Sequence, residues 1–172
     1  MDKNLHAREA QLRAISIYEQ RPERAAVINR GTAKLLDGLG CTYEQDGHRI
    51  SVDMPVAIGG GAEAPPPGYF GRAAICSCLA IGIKMAAARE NIQLDTVRVE
   101  IEQDWDNRGG LALDGASPVA SDTRIAIDIA SPHTELGIHD LVARTLEKDP
   151  WFLTFRDAQP VTSVLSVSGE VA

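Results

Sequence analysis

The segment at residues 67–91, PGYFGRAAICSCLAIGIKMAAAREN, constrains the fold of this chain more than any other feature. Apolar residues occur throughout it, so a helix formed by this segment carries apolar side chains on nearly every face. A helix that is apolar all round is typical of a buried position. We therefore predict a long buried central helix that begins at Pro67, ends at about Asn91 and has other elements packed around it.

Strand-like patterns come before this helix. An Asp-Gly pair at residues 46–47, flanked by apolar and β-branched residues, is a recognised hairpin signal. The predicted N-terminal strands are Thr32–Leu36, Cys41–Glu44 and Arg49–Met54.

The pattern after the central helix alternates and then becomes helical again. Ile125, Ile127 and Ile129 share one face of a strand, because successive side chains of a strand point to opposite sides. The predicted elements are strands at Leu94–Trp105 and Thr123–Ile129, a second helix at Glu135–Lys148 halted by Pro150, and a closing strand at Val161–Val171. This order of strands, buried helix, further strands, second helix and strand indicates an α+β fold.

Residues 5–20 have apolar positions at helical spacing with charged residues between them, and Pro22 follows. We expect an amphipathic helix here, within an N-terminal helical extension at residues 1–27. The remaining residues, 28–172, are of a length that forms a single domain with its own core.

The formal net charge of -7 argues against general attraction to nucleic acid or anionic lipid, since both need clustered Lys and Arg. Charges are scattered through the first 26 residues, where a secretory signal would need an apolar core. The sequence has no uninterrupted run of about 18 apolar residues, so we expect no spanning helix. We expect a cytoplasmic protein whose partners are small molecules or other protein chains, with no nucleic acid and no membrane.

No cofactor or metal is expected. The Gly-rich and Pro-rich loop at residues 57–68 lacks the Gly-Lys-Ser/Thr ending of a phosphate-binding loop. The four histidines do not stand at ligand spacing with one another or with the cysteines.

Three cysteines, Cys41, Cys76 and Cys78, remain as candidates for chemistry, and an odd number in a chain without an export signal indicates reduced thiols. Cys76 and Cys78 lie roughly 200° apart around a helix, so they cannot bridge one another or grip one metal ion. Buried Cys often serves as a small apolar residue, and this is the favoured interpretation of Cys76. The reactivity of Cys78 depends on whether a nearby cation holds its thiolate.

The segment PPPGYFGRAAICSCLAIGIKMA resembles the central-helix signature of the OsmC/Ohr superfamily, in which a proline opens a long helix that carries a cysteine. Pro67 matches that proline and Cys78 matches the reactive cysteine. The order of elements across roughly residues 30–170 is also similar. The resemblance implies an OsmC-like fold, an intertwined homodimer and active sites at the subunit interface.

Characterised branches of that superfamily reduce organic hydroperoxides with one attacking and one resolving cysteine, and an Arg–Glu pair tunes the first thiolate. This sequence departs from the pattern: Gly68 replaces the Glu, and Asp149 stands where the second cysteine precedes a proline. The supporting arginine has no secure match, with Arg30, Arg49 and Arg72 as the candidates. If Asp149 lies near Cys78, it raises the pKa of the thiol.

The resemblance leaves two functions open. In the first, Cys78 is catalytic and reacts with an organic hydroperoxide or a small electrophile, and an external thiol regenerates it, because no resolving cysteine is in place. In the second, the chain is a degenerate member that binds a small apolar ligand at the dimer interface without catalysis. The aromatic group at Trp151, Phe152 and Phe155 either lines a ligand pocket or packs in the core.

Overall fold

The structure is a computed structural model that describes residues 3–167. Helices and strands are mixed along these residues, so the predicted α+β class is confirmed. In chain order the elements are α1 (Lys3–Gln20), β1 (Thr32–Leu35), β2 (Cys41–Gln45), β3 (His48–Val52), α2 (Pro67–Glu90), β4 (Thr96–Asp104), α3 (Asn107–Gly110), β5 (Asp122–Ala130), α4 (Glu135–Leu146) and α5 (Pro150–Arg156).

The first three strands form an antiparallel meander in the order β1-β2-β3. The turn between β2 and β3 lies at the predicted position. Asp46 and Gly47 both have positive φ angles, 51° and 77°, as the tight turn of a two-residue hairpin requires. All four residues of β1 are exposed within the chain, including Leu35 at 63%.

The second sheet consists of β4 and β5, paired antiparallel from Thr96 opposite Ala130 to Asp104 opposite Asp122. Its inward side chains Val97, Ile127 and Ile129 pack against the core. Both strands were predicted, and their bounds differ from the prediction by one or two residues.

The core forms around α2, as predicted. Ile75, Leu79 and Ile83 follow one another at four-residue intervals and are almost completely buried. Leu141 of α4 joins them and is also fully buried. Pro67 occupies the start of the helix, where its missing N–H is not needed, and Asn91 ends it in the left-handed conformation at φ 57°.

The burial of α2 within the single chain is confined to one side. Ile81 is 58% exposed and Met85 is 41% exposed. By length and composition α2 could cross a membrane, but the core helix of a soluble protein passes the same test. It packs against α1, β4, α4 and α5, and Lys84 on it donates a hydrogen bond to the carbonyl of Leu94.

The N-terminal helix packs on α2 through small residues. The half-buried positions of α1 include Ala7, Ala10 and Ala14, whereas the larger Leu12 and Ile15 are 41% and 40% exposed. The predicted helix is present, but its contact face differs from the large-residue face that the spacing favoured. Alanines allow two helix backbones to approach closely, which accounts for the choice of face.

Two C-terminal features differ from the prediction. Pro150 ends α4 as expected but also begins α5, because proline fits the first turn of a helix. The predicted strand Val161–Val171 does not form over residues 161–167, and residues 168–171 lie outside the described part. Val164 is 94% exposed, and this segment pairs with no strand of the described chain, so alternation alone does not produce a strand.

Candidate functional site

A cleft of about 600 Å³ lies between α2 and the segment that joins α4 to α5. Its volume is within the range of small-molecule sites, roughly 300–1,000 Å³. The residues that line it include Cys78, Ile81, Gly82, Met85, Arg89, Arg144, Lys148, Asp149 and Trp151.

The α2 wall of this cleft follows one stripe of the helix. Cys78, Gly82, Met85 and Arg89 stand at spacings of four, three and four residues, which places them on a common face. With a rise of 1.5 Å per residue, Cys78 and Arg89 are separated by about 16 Å along the axis. Cys78 and Arg89 therefore lie about three helical turns apart along the α2 wall of the cleft.

Asp149 is placed opposite this stripe by its role as the cap of α5. Its side chain is 3% exposed, and Oδ1 accepts a hydrogen bond of 2.8 Å from the backbone N–H of Phe152. This satisfies one of the free N–H groups in the first turn of α5. The other oxygen, Oδ2, faces α2 at Gly82, where an added Cβ would lie only 3.1 Å away.

Cys78 shares this environment. Burial is the largest factor that raises the pKa of its thiol, and the hydrogen bond and charge of Asp149 raise it further. The backbone N–H of Trp151, in the first turn of α5, donates towards the sulfur and opposes the increase in pKa. The conditional expectation from the sequence is thus met: Asp149 lies next to Cys78 and favours the protonated thiol.

The other cysteines lie elsewhere. Cys76, two residues before Cys78, does not line the cleft, and burial alone raises the pKa of its thiol. Cys41 is on β2, where its Sγ donates to the carbonyl of Thr42 at 3.6 Å. All three cysteines are free. Within residues 3–167, no three His, Cys, Asp or Glu side chains are grouped as metal ligands.

The candidate arginines of the sequence analysis are not brought to Cys78 within the chain. Arg49 is exposed and pairs with Glu44 at 3.4 Å, and neither Arg30 nor Arg72 contributes to the described lining of the cleft. Three other cations, which the sequence analysis missed, line the cleft: Arg89, Arg144 and Lys148. The spacing of Arg89 from Cys78, three helical turns along one face, is the sequence signal that would have identified it.

Of the two roles that the sequence left open for the aromatic group, Trp151 takes the first, and none of the three rings belongs to the buried core. Trp151 lines the cleft and is 47% exposed, so it offers an apolar surface to a ligand. Phe155 packs edge-on against Trp151 with ring centroids 6.4 Å apart, and the guanidinium of Arg156 lies over the ring of Phe152.

A sequence model of the family described as OsmC-like protein matches residues 59–164 of the chain. The fold is similar to that of an OsmC like protein from Mycoplasma pneumoniae, with a TM-score of 0.63 and 15% identity over 76% of this chain and 88% of the other. No curated protein matches the chain.

Two further solved structures with this fold are described as organic hydroperoxide resistance proteins. The protein from Legionella pneumophila has a TM-score of 0.56 and 20% identity, over 76% of this chain and 90% of the other. The protein from Elizabethkingia anophelis has a TM-score of 0.51 and 15% identity, over 76% of this chain and 89% of the other.

Proposed function

The chain belongs to the OsmC-like protein family, and we propose that it performs single-cysteine thiol chemistry at Cys78 on organic hydroperoxides or small electrophiles. The family match and the description of two proteins of this fold as hydroperoxide resistance proteins support a peroxide-related role at the level of the family. The observation that carries the assignment to Cys78 is its position on the wall of the cleft, which neither Cys41 nor Cys76 lines.

The reaction begins with attack of the Cys78 sulfur on the outer oxygen of the hydroperoxide. The O–O bond breaks, the sulfur is oxidised to a sulfenic acid, and the rest of the hydroperoxide leaves as an alcohol after taking up a proton. Because Asp149 stands in place of a second cysteine, an external thiol condenses with the sulfenic acid, and water and a mixed disulfide form. A second external thiol then releases the Cys78 thiol and leaves as the disulfide of the two external thiols.

The surroundings of Cys78 determine how this reaction depends on pH. The thiolate is the nucleophile, and both burial and Asp149 raise the pKa of the thiol. The reaction is therefore slow near neutral pH and becomes faster as the pH rises towards the pKa of Cys78.

The contact between Asp149 and Cys78 also favours a second candidate function. A carboxylate that keeps Cys78 protonated suits a cleft that binds a small apolar ligand without reacting with it. In this alternative Cys78 is part of the wall, as are Ile81, Met85 and Trp151.

We also propose that the functional unit is a homodimer. The chain exposes 13209 Å², whereas a folded monomer of 18.5 kDa exposes about 8,200 Å² by size scaling. Large apolar side chains contribute to this exposed surface: Leu35, Ile81 and Leu165 are 63%, 58% and 86% exposed. A second copy that covers these surfaces completes the core around α2. The proposed unit is cytoplasmic, with residues 1–27 as an extension to a single domain at residues 28–172.

The test of the proposed reaction is consumption of cumene hydroperoxide in the presence of dithiothreitol, with the wild-type chain compared with Cys78→Ser and Cys76→Ser. We expect Cys78→Ser to abolish the activity and Cys76→Ser to retain it. Mass spectrometry of the oxidised protein should locate the added oxygen or a mixed disulfide at Cys78. Equal turnover by wild type and Cys78→Ser, or none by either with unlabelled Cys78, would reject the thiol reaction.

A further inference from the structure

We propose that Asp149 is a catalytic residue of the reaction at Cys78, where its carboxylate takes the proton of the thiol and then gives it to the leaving alkoxide. This role rests on the proposed thiol reaction and assigns the source of the proton that the alcohol takes up. Oδ2 of Asp149 is the atom that holds the proton between the two steps.

Asp149 lies close to the Cys78 thiol across the cleft that both residues line. Its Oδ2 is 3.1 Å from the position that a Cβ at Gly82 would occupy. Cys78 is four residues before Gly82, and side chains at this spacing are neighbours on a helix, with Cβ atoms about 5–6 Å apart. A general base must lie within hydrogen-bond reach of the proton it takes, and this arrangement brings the carboxylate to the thiol.

The two oxygens of Asp149 have separate tasks. Oδ1 accepts the hydrogen bond of 2.8 Å from the backbone N–H of Phe152, which fixes the carboxylate before the reaction begins. Oδ2 faces α2 and is the oxygen that accepts the proton of the thiol. The side chain is only 3% exposed, so a proton on Oδ2 is shielded from bulk water until the alkoxide forms.

The backbone N–H of Trp151 makes the complementary contact to the sulfur. It donates towards Sγ of Cys78. Negative charge develops on the sulfur as its proton moves to Asp149, and a fixed N–H donor stabilises such a charge. The thiol therefore has an acceptor for its proton on one residue and a donor for its developing charge on another.

The proton balance of the reaction needs no group besides Asp149. The carboxylate takes the thiol proton as the sulfur attacks the outer oxygen of the hydroperoxide, and it becomes a carboxylic acid. The electron pair of the O–O bond moves to the inner oxygen, while the outer oxygen keeps its hydrogen in the sulfenic acid of Cys78. The alkoxide then takes the proton from Asp149 and leaves as an alcohol, and the carboxylate is restored.

The other charged side chains of the cleft are less suited to this task. Among the described residues that line the cleft, Glu90 is the other carboxylate, and it pairs with Arg144 at 2.8 Å. It is twelve residues after Cys78 on α2, or about 18 Å along the helix axis. A Lys ammonium donates hydrogen bonds and accepts none, so Lys148 does not take the proton of the thiol.

The experiment compares two oxidants that differ in the leaving group, tert-butyl hydroperoxide and peracetic acid. The alkoxide from the first is a strong base that must take up a proton, whereas acetate leaves as a stable anion at neutral pH. The rate of oxidation of Cys78 is measured for each oxidant in a single turnover without external thiol, by mass spectrometry of the reduced and oxidised Cys78 peptide. Both oxidants react with the same sulfur, so a change in the fraction of thiolate alters both rates alike and leaves their ratio unchanged.

Removal of the carboxylate should change that ratio. In Asp149→Asn we expect the rate with tert-butyl hydroperoxide, divided by the rate with peracetic acid, to fall about 100-fold, the low end of the range for general acid–base catalysis. Asn and Ser are both favoured helix caps, so Asp149→Ser is a second variant without the carboxylate and should show the same fall. Asp157→Asn, at an exposed carboxylate that pairs with Arg156, should leave the ratio unchanged.

The outcomes separate this role from the thiol reaction itself. An unchanged ratio in folded Asp149→Asn and Asp149→Ser overturns the role of Asp149 and leaves the thiol reaction standing. A fall in the ratio in Lys148→Gln, with none in Asp149→Asn, would make Lys148 the proton donor and would also overturn it. If neither oxidant oxidises Cys78 in the wild-type chain, the thiol reaction is rejected, and the role of Asp149 falls with it.

Discussion

The carboxylate of Asp149 and the thiol of Cys78 lie side by side where the first turn of α5 meets α2. Asp149 is held there by a hydrogen bond from Phe152, so its position does not depend on the thiol. The negative charge of Asp149 is therefore fixed beside the Cys78 thiol, which must itself lose a proton and become negative in order to react.

Replacing Asp149 by Asn should make Cys78 more reactive. Asn keeps an oxygen that can accept the hydrogen bond from Phe152, but it removes the charge that raises the pKa of the thiol. We expect alkylation of Cys78 by iodoacetamide at pH 7 to accelerate several-fold, as followed by mass spectrometry. Asp157→Asn, at an exposed position paired with Arg156, is the matched control. An unchanged rate in Asp149→Asn would mean that Asp149 does not govern the thiol.

Alkylation of the wild-type chain should itself depend on pH. Because the pKa of Cys78 is raised above its ordinary value of 9.0, the thiolate is scarce at neutral pH and increases as the pH rises towards and beyond that value. The rate of labelling at Cys78, measured from pH 6 to 10, should still be rising at pH 9. A plateau below pH 8 would contradict the raised pKa.

Substitution of Gly82 by Ala should destabilise the protein. The new methyl group would lie 3.1 Å from Oδ2 of Asp149 and 3.5 Å from Cγ2 of Thr145. Overpacking of this kind costs about 1–3 kcal/mol, which outweighs the gain of roughly 1 kcal/mol from replacing Gly by Ala in a helix.

The control for that prediction is Gly71→Ala on the same helix. A methyl group there would meet Cζ of Phe155 at an ordinary 3.9 Å, so the helix preference for Ala should stabilise the protein by about 0.5–1 kcal/mol. Urea unfolding gives the change in the free energy of unfolding for each variant. We expect a decrease for Gly82→Ala and an increase for Gly71→Ala. A stabilised Gly82→Ala variant would show that Asp149 moves aside without cost.

Asp53 should make the stability of the protein sensitive to acid. Its buried carboxylate accepts hydrogen bonds from the backbone N–H groups of Met54, Gly61 and Glu63, at 2.7, 3.0 and 3.1 Å, and so closes the Gly-rich loop. These bonds lower its pKa from the ordinary 3.8, with the Glu63 N–H as the largest cause. The ionised Asp53 carboxylate therefore contributes its full share of the stability above pH 3.8, and this share is lost as the pH falls through the lowered pKa.

The measurement for Asp53 is the melting temperature of wild type and Asp53→Asn between pH 2 and pH 7. Asp53→Asn should melt lower at pH 7, and the difference from wild type should shrink below pH 4. A difference that stays constant across this range would mean that the carboxylate charge plays no part.

The homodimer is tested by sedimentation at micromolar concentration. We expect a species of twice the 18.5 kDa chain mass, because large apolar side chains such as Leu35 and Leu165 are exposed within one chain and a second copy would cover them. Leu165→Asp should shift the population towards monomer, since Leu165 is 86% exposed within the chain. A wild-type chain that sediments only as a monomer would reject the dimer.

The elements that the sequence predicts well are those with a local cause. The turn at Asp46-Gly47 follows from its two residues, and α2 follows from its composition and from Pro67. The second helix α4 follows from its spacing and from the cap Thr134, which accepts a hydrogen bond from the N–H of Gly137.

The features that the sequence did not predict have a common physical cause. Each depends on residues of another element that pack against it, which the local sequence does not show. A proline such as Pro150 can end one helix or begin another. Here it does both, because Asp149 caps the N-terminus of α5. The face of α1 that packs is decided by the space that α2 leaves, and the alanines fit it. Arg89 lies on the same face of α2 as Cys78, and only the position of α4 and α5 across that face shows that it lines the cleft.

The position of α2 in the chain also has a consequence for how the protein is made. Residues 1–66 are synthesised before the helix that α1 packs against, so Ala7, Ala10 and Ala14, which pack on α2 in the folded chain, have no partner in that interval. Synthesis proceeds at roughly 5–20 residues per second, so this period lasts seconds. The charged residues interspersed along α1, such as Arg8, Glu9, Arg13 and Glu19, keep the nascent segment soluble until its partner emerges.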